Sequence, residues 1–306
     1  MTASTINFYE RVEDALHNEQ LRTALNIGTN RFFSGRNRAI AALPEAEALR
    51  DHARRIRAHT LANLDSYLAQ FAGSVEQLGG QLFWAQTAAE ANHYISKLAQ
   101  ERGVKSAVKS KSMVTEELEL NHELERVGVR VVETDLGEYI IQLAGEKPSH
   151  IIAPVIHKTR HDVARLFREK LNASDEDLAD VPHMTALARR MLRQDFLNAD
   201  MGITGVNFGV AQTGSICLVM NEGNGRLATT TPRIHVAVMG MERLVPTLED
   251  LGVMIQLLAR SATGQKISVY TNILTTPSRT NSPNGAEPDG PDEFHLLIVA
   301  NGRRQM

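Results

Sequence analysis

The chain has 306 residues, of which 42% are hydrophobic and 23% are charged, and its formal net charge is -3. This composition is typical of a globular protein, and the near balance of charge favours neither nucleic acid nor an acidic membrane surface as a partner. The one cysteine, Cys217, excludes an internal disulfide and an iron–sulfur cluster held by this chain alone.

The first 72 residues predict helices. Apolar residues recur at helical spacing between Leu43 and Leu64, with charged residues between them, and no strand candidate interrupts them. We interpret residues 1–72 as a helical arm that ends near Gly73, and residues 73–306 as an α/β domain.

Strands and helices alternate after the arm. Short apolar runs predict strands at 82–85, 104–108, 129–132 and 151–153. Helical spacing predicts helices at 88–99, at 114–127 with a stop at Gly128, and around 163–167. Repeated strand–helix units predict a parallel sheet with helices on both faces.

The second half of the chain begins with a helix at 184–192. Two β-rich runs between residues 204 and 220 surround Gln212-Thr213-Gly214, which indicates a hairpin. Further strands are predicted at 233–239, 267–273 and 294–300, a helix at 248–258, and a proline-rich loop at 276–291.

The first candidate for chemistry is Lys109-Ser110-Lys111-Ser112, where a predicted strand meets a helix. Ligands of open α/β sheets bind at the carboxyl ends of strands, and ammonium groups and hydroxyls could bind an anion there. The alternative is a solvated basic loop in which Ser112 or Thr115 caps the helix.

The second candidate is the segment 221–226, Asn221-Glu222-Gly223-Asn224-Gly225-Arg226. Its glycines let the backbone approach a ligand closely, and Glu222 could act as a nucleophile, a base or an anchor. The alternative is a tight turn with an exposed glutamate, since Asn-Gly is also a hairpin signal.

The third candidate combines Thr204 and Gly205 with Thr213-Gly214-Ser215, whose amides and hydroxyls could line a cleft or simply allow close packing of strands. No dinucleotide-binding or Walker spacing is present.

His157 and Lys158 could contact an anion at a strand end. Because His157 and His161 lack a third ligand, we expect no metal site.

Three stretches of the chain together resemble the LUD domain family of lactate-utilisation proteins, most of all its iron–sulfur subunits. The resemblance covers about residues 60 to 304, and it rests on three ordered signatures: 108–117 (VKSKSMVTEE), 150–158 (HIIAPVIHK) and 204–226, which runs from TGVNFGVA to NEGNGR.

The resemblance implies a Rossmann-like α/β fold similar to the sugar-isomerase and CoA-transferase superfamily. It also implies a role in an iron–sulfur complex that converts L-lactate to pyruvate with sibling subunits. The family's [4Fe-4S] clusters bind in a ferredoxin-like C-terminal segment, and this sequence stops at Met306, about where that segment should begin. We therefore expect either a truncated chain or a cluster-free relative.

Oxidation of lactate releases two electrons, and the sequence shows no group that could accept them. We accordingly expect a chain that holds no cofactor, is not active alone, and binds a small carboxylate. The absence of a signal peptide and of any run of ~20 apolar residues predicts a cytoplasmic protein without a membrane span.

At the predicted site, Glu222 is the catalytic candidate and would accept a proton. Lys109, Lys111 and Arg226 would hold a carboxylate or phosphate, and Ser110, Ser112, Thr204 and Ser215 would orient it. The other predicted binding residues are His157, Lys158, Gly205, Thr213, Gly214, Asn221, Gly223 and Asn224.

Two other functions remain open. In the CoA-transferase fold, a Ser-Glu-Asn-Gly turn supplies a nucleophilic glutamate, and Asn221-Glu222-Gly223-Asn224 is similar but not the same. The chain could therefore be a self-sufficient CoA-transferase-like or isomerase-like enzyme that acts on a small anion. Alternatively, it could be a non-catalytic scaffold that docks partners through its helical arm.

Overall fold

The computed structural model describes residues 8–149, 153–275 and 290–305. The helices are α1 (Phe8–His17), α2 (Glu19–Ala41), α3 (Ala46–Ala62), α4 (Leu64–Gln77), α5 (Ala88–Glu101), α6 (Met113–Glu117), α7 (Leu120–Arg126), α8 (Leu136–Ala144), α9 (Arg160–Leu171), α10 (Val181–Asn198), α11 (Asn224–Thr230) and α12 (Leu248–Thr263). The strands are β1 (Gln81–Ala85), β2 (Ser106–Lys109), β3 (Arg130–Glu133), β4 (Met201–Gly205), β5 (Phe208–Val210), β6 (Ser215–Met220), β7 (Ile234–Gly240), β8 (Leu244–Val245), β9 (Tyr270–Leu274) and β10 (Glu293–Val299).

Six strands form the main sheet, in the order β1-β10-β7-β4-β2-β3, and every neighbouring pair is parallel. The central strands are buried on both faces, which explains their continuous apolar runs. The predicted α/β class with a parallel sheet is therefore confirmed. Because all six strands run in the same direction, their carboxyl ends share one edge, where Lys109 lies opposite both Glu133 and Ile203.

A second, four-stranded sheet has the order β8-β5-β6-β9. Strands β5 and β6 are antiparallel, so the hairpin predicted around residues 212–214 is confirmed. Gly214 has a φ of +68°, and a Cβ there would lie 2.9 Å from Ser74. Helices α3 and α12 cover this sheet through a buried cluster that includes Ile56, Leu251 and Met254.

The helical arm is joined to the main sheet by α4. Phe71 and Val75 of α4 are fully buried and pack in one cluster with Met239 and Leu296 of the sheet. The predicted helix end near Gly73 is wrong, because α4 continues through Gly73 as far as Gln77. The apolar face of α4 crosses that position, and packing against the sheet outweighs the low helix propensity of glycine.

Several local predictions need correction. The helix predicted at 114–127 is divided into α6 and α7 by Glu119, whose φ is +53°. Thr204 belongs to β4 of the main sheet and not to the hairpin. Helices α8 and α11 were not predicted. The strand predicted at 151–153 lies outside the described residues apart from Ala153, and the loop predicted at 276–291 does so apart from its last two residues. Among the described helices, none is long and apolar enough to cross a membrane.

Candidate functional site

Lys109 is the buried centre of a charge cluster at the carboxyl edge of β2 and β3. Its Nζ lies 2.8 Å from Oε1 of Glu133 and 2.6 Å from Oε1 of Glu116, and it donates to Oγ1 of Thr115 at 3.1 Å. An ammonium group has three N–H donors, so all of them are used. The structure therefore leaves Lys109 no donor for the predicted substrate anion.

The carboxylates around Lys109 keep it charged. Burial by itself lowers the pKa of Lys109, but the charges of Glu133 and Glu116 outweigh that effect, and the net shift of the pKa is upward. Glu133 lies at the end of β3 and is 4% exposed. The sequence prediction missed Glu133, although it directly follows a predicted strand, where a polar residue is expected to reach the ligand-binding edge.

Glu138 is the second buried carboxyl group of this cluster. It lies in the first turn of α8, where Asp135 accepts hydrogen bonds from the N–H groups of Gly137 (3.0 Å) and Glu138 (3.3 Å). Burial, followed by the charge of Glu133, raises the pKa of Glu138 to about 8, and Lys109 opposes the shift. Glu138 is therefore mostly protonated at neutral pH.

The raised pKa of Glu138 predicts a specific dependence of stability on pH. The folded protein holds this proton up to about pH 8, whereas the ordinary value for glutamate is 4.5, so the folded state binds more protons between these limits. Stability should therefore fall as the pH rises through this window. Between pH 5 and pH 9 the free energy of unfolding of the wild type should decrease, and Glu138→Gln should make this decrease smaller by about 2–4 kcal/mol. Urea unfolding of both proteins at each pH measures the difference. Equal pH dependence in variant and wild type would contradict the assignment.

The loop after β6 reaches the same edge of the sheet. Leu136 donates its N–H to Oε2 of Glu222 at 3.4 Å, and Asn224 donates to Oγ1 of Thr134 at 3.2 Å. Thr134 in turn donates to the carbonyl oxygen of Lys109 at 2.9 Å. The structure therefore brings the segment that carries Glu222 and Asn224 next to the ends of β2 and β3.

Glu222 retains a proton more readily than an ordinary glutamate. Desolvation of its carboxyl group and then the nearby charge of Asp135 raise the pKa of Glu222, while the Leu136 N–H and the Lys111 ammonium oppose this shift. Lys111 also lowers the pKa of Glu138, so it lies within electrostatic range of both carboxyl groups. This position suits the predicted role of Lys111 beside an anion, and that role stays a prediction.

Ser110, Ser112 and Gly205 support the site. The N–H of Ser110 donates to the carbonyl oxygen of Ile203 at 2.9 Å, which joins the end of β2 to β4. Ser112 caps α6 by accepting from the N–H of Thr115 at 3.3 Å, so the capping alternative is correct for this residue. Gly205 lies so close that a Cβ there would be 2.8 Å from Oγ of Ser112.

Other predicted binding residues lie elsewhere. Thr213 and Gly214 precede β6 and Ser215 begins it, whereas Glu222 follows it, and six residues of strand separate the two ends by roughly 20 Å. Thr204 is fully buried and hydrogen-bonded to Nε2 of His235 at 2.8 Å. These residues therefore do not join the cluster around Lys109, because strand direction places them at another edge or inside the sheet.

The remaining predicted residues lie near the site but have structural partners. His157 and Lys158 pair with Glu146 at 2.8 and 2.6 Å. Asn221 donates to Oε1 of Gln265 at 2.8 Å. Arg226 is exposed on α11, and Gly223 precedes that helix. None of these contacts connects the residues to Lys109.

A cleft of about 690 Å³ opens beside the cluster, between α6, α7 and α8. Its lining holds one lysine, one histidine and six glutamates: Glu116, Glu119, Glu125, Glu133, Glu138 and Glu146. Much of this acidic charge is compensated, because Lys109 pairs with Glu116 and Glu133, Lys158 pairs with Glu146, and Glu138 keeps its proton. The sequence prediction did not find this cleft because its glutamates come from four separate segments of the chain.

Cys217 tests whether the chain could hold the iron–sulfur cluster that the resemblance implies. Its side chain is fully buried in β6, and burial raises the pKa of the thiol to about 12. A [4Fe-4S] cluster takes four thiolate ligands, and the sequence contains one cysteine. The residues of this chain therefore do not fit a cluster.

Comparison with known proteins gives consistent family matches. A family model described as the LUD domain matches residues 68–299. Lactate utilization protein B of Bacillus pumilus is 48% identical over 97% of this chain and 61% of its own length. An uncharacterized electron transport protein of Escherichia coli, YkgF, is 44% identical over 99% of this chain and 62% of its own length. The chain thus spans about three fifths of the curated relatives it matches.

One solved structure is also similar. The crystal structure of a DUF162 family protein from Deinococcus radiodurans covers 77% of this chain and 98% of its own, with 14% identity and a TM-score of 0.42. That likeness is too distant to support an argument about the site.

Proposed function

Since the chain belongs to the LUD domain family, we propose that it takes part in lactate utilisation as the substrate-side part of an iron–sulfur system that converts L-lactate to pyruvate. The observation that carries this proposal is the 48% identity to a lactate utilization protein B across nearly the whole chain. The name of the Escherichia coli relative, an electron transport protein, supports the redox part of the proposal.

The chemistry divides between this chain and its partners. Oxidation of a 2-hydroxy acid to a 2-oxo acid releases two protons, one from the hydroxyl group and one from C2, together with two electrons that pass to the acceptor. We propose that Glu222 accepts the hydroxyl proton. Its pKa is raised toward neutral pH, and a general base works best when its pKa lies near the working pH. Lys111 would offset the charge of the lactate carboxylate.

We propose that the electron acceptor is not among the described residues of this chain. The one buried cysteine cannot bind a cluster, so the clusters would belong to sibling subunits or to a further segment of the protein. It follows that the isolated 306-residue chain should not reduce an artificial acceptor when lactate is supplied. Turnover by the isolated chain would contradict the proposed division of labour.

Substitution of Glu222 tests its proposed role. In the assembled complex, Glu222→Gln should lower kcat/KM for lactate by about 100-fold or more, because the amide cannot accept the hydroxyl proton. The measurement is the initial rate of lactate-dependent acceptor reduction. Glu76→Gln, which removes an exposed charge from α4, is the matched control and should keep the wild-type rate. Full activity in Glu222→Gln would reject Glu222 as the base.

A further inference from the structure

Ser149, His157 and Glu146 form a chain of hydrogen bonds beside the cleft. Oγ of Ser149 lies 2.6 Å from Nδ1 of His157, and Nε2 of the same ring lies 2.8 Å from Oε2 of Glu146. Ser149 and Glu146 both line the cleft. A nucleophile within hydrogen-bond reach of a base, which a third group orients in turn, is the arrangement of enzymes that form covalent intermediates on serine.

The chemistry of Glu146 fixes where the protons lie in this chain of hydrogen bonds. Burial by itself raises the pKa of Glu146, but hydrogen bonds from Lys158 and His157 outweigh that effect and lower the pKa, so Glu146 is a carboxylate. A carboxylate can only accept, so Nε2 of His157 carries a proton. In the neutral ring Nδ1 is then the acceptor, and the hydroxyl of Ser149 donates to it. His157 is therefore oriented to receive the proton of Ser149.

Lys158 holds the carboxylate in position. Its Nζ donates to Oε1 of Glu146 at 2.6 Å, which leaves Oε2 for His157. The side chain of His157 is 18% exposed, whereas Ser149 is exposed. The base is thus partly shielded from water, while the hydroxyl group that it would activate can be reached from solvent.

The fold brings Ser149 and His157 together although eight positions separate them in the sequence. The N–H of Ser149 donates to the carbonyl oxygen of Pro154 at 3.0 Å, which joins the two ends of the loop. A Cβ on Gly28 would lie 2.5 Å from Cδ1 of Ile156, so α2 packs closely against the residue that precedes His157. These contacts fix the distance between the nucleophile and the base before any substrate binds.

We propose that Ser149 is the nucleophile of a second site on this chain, which hydrolyses small neutral carboxylic esters through an acyl-serine intermediate. Oγ of Ser149 forms a bond to the carbonyl carbon, and its proton passes to Nδ1 of His157. The ester C–O bond then breaks, and the alcohol leaves with that proton. Water, deprotonated by His157, releases the acid and restores the serine, while Glu146 orients the ring. This proposal does not depend on the proposed role in lactate utilisation.

The cleft favours a small substrate without charge. Its volume of about 690 Å³ is within the range of small-molecule sites. The one lysine of its described lining, Lys147, lies 3.9 Å from Glu119, and Lys158 is already paired with Glu146. An acyl phosphate or another anionic acyl donor would therefore find no unpaired lysine there, whereas a neutral ester needs none.

Covalent labelling of the full chain tests the proposal. Because the N–H of Ser149 is bonded to Pro154, it does not serve as an oxyanion donor, so we expect slow turnover and a more sensitive signal from a trapped serine. Diisopropyl fluorophosphate, a neutral reagent that phosphorylates activated serines with loss of fluoride, should modify the wild type. Peptide mapping by mass spectrometry should place the label on Ser149.

Two variants and a control identify the group that activates the serine. Ser149→Ala should lose the label together with the cleavage of p-nitrophenyl acetate above the rate in buffer. His157→Gln should slow labelling by about 100-fold or more, because general-base assistance contributes roughly 10²–10⁴-fold. Ser174→Ala is the matched control: Ser174 is exposed and donates to Asp177 at 2.8 Å, a carboxylate and not an imidazole, so labelling should keep the wild-type rate.

An unlabelled wild type, a label on another residue, a label that survives in Ser149→Ala, or an unchanged labelling rate in His157→Gln would each overturn the proposal. The mapping uses the wild-type chain, so its result does not depend on whether a variant folds. Circular dichroism of each variant checks that a slower reaction does not reflect unfolding.

Discussion

Replacement of Lys109 by methionine is expected to lower the free energy of unfolding by about 3–5 kcal/mol at pH 7. The substitution fills similar space but removes the ammonium group that lies 2.8 Å from Glu133 and 2.6 Å from Glu116. Glu133 would then be buried as an unpaired carboxylate, which is costly because the interior cannot solvate its charge. Urea unfolding followed by circular dichroism measures the change.

Two variants control the Lys109 experiment. Lys97→Met removes an exposed lysine, 63% exposed and 3.7 Å from Glu101, and should change stability by less than about 1 kcal/mol. Lys109→Met combined with Glu133→Gln should recover part of the loss, because the buried charge is removed together with its partner. A loss below about 1 kcal/mol in Lys109→Met would show that the ammonium group does not hold this edge together.

Phe71→Ala is expected to destabilise the protein by about 3–5 kcal/mol. Phe71 is fully buried, and its Cζ lies 2.9 Å from the position a Cβ would take on Gly209, so α4 packs tightly over β5. Alanine would leave a cavity between α4 and the sheet that the surrounding residues cannot fill. The free energy of unfolding in urea is again the measurement.

Phe33→Ala is the matched control for Phe71→Ala. Phe33 lies on α2 and is 64% exposed, so its truncation should cost less than about 0.5 kcal/mol. If both variants lost the same small amount, α4 would be part of a separate arm. A large loss for Phe71→Ala alone would instead place residues before Gly73 within the core of the α/β domain.

The strands of the main sheet were the elements best predicted from sequence. The apolar runs of β7 and β10 are continuous because both faces of these central strands are buried, whereas the edge strand β1 leaves Trp84 41% exposed. Strand β4 was missed because Met201–Gly205 contains two glycines and runs directly into the hairpin. Helix α11 was missed because Asn224-Gly225 has the composition of a turn, and only its packing against β4 makes it helical.

The candidate site was predicted in part. The strand-end argument places residues 109–112 at the carboxyl edge of the main sheet, and the structure brings Glu222 and Asn224 to the end of β3, whereas ligand binding by these residues stays a prediction. It did not foresee that Lys109 points inward to Glu116 and Glu133. Spacing along the chain reveals which residues can reach an edge, but not which of them will neutralise one another there.

By itself, the sequence determined the α/β class, the alternation of strands and helices, the hairpin before Glu222 and the family, because periodicity and short motifs are local properties. Only the tertiary structure decided that α4 belongs to the core, that Lys109 is a buried structural cation and that an acidic cleft lies beside it. The packing of α4 joins segments that are distant in sequence, whereas the Lys109 cluster and the cleft depend on how residues 109–149 fold against one another. Burial then determines which charges must pair.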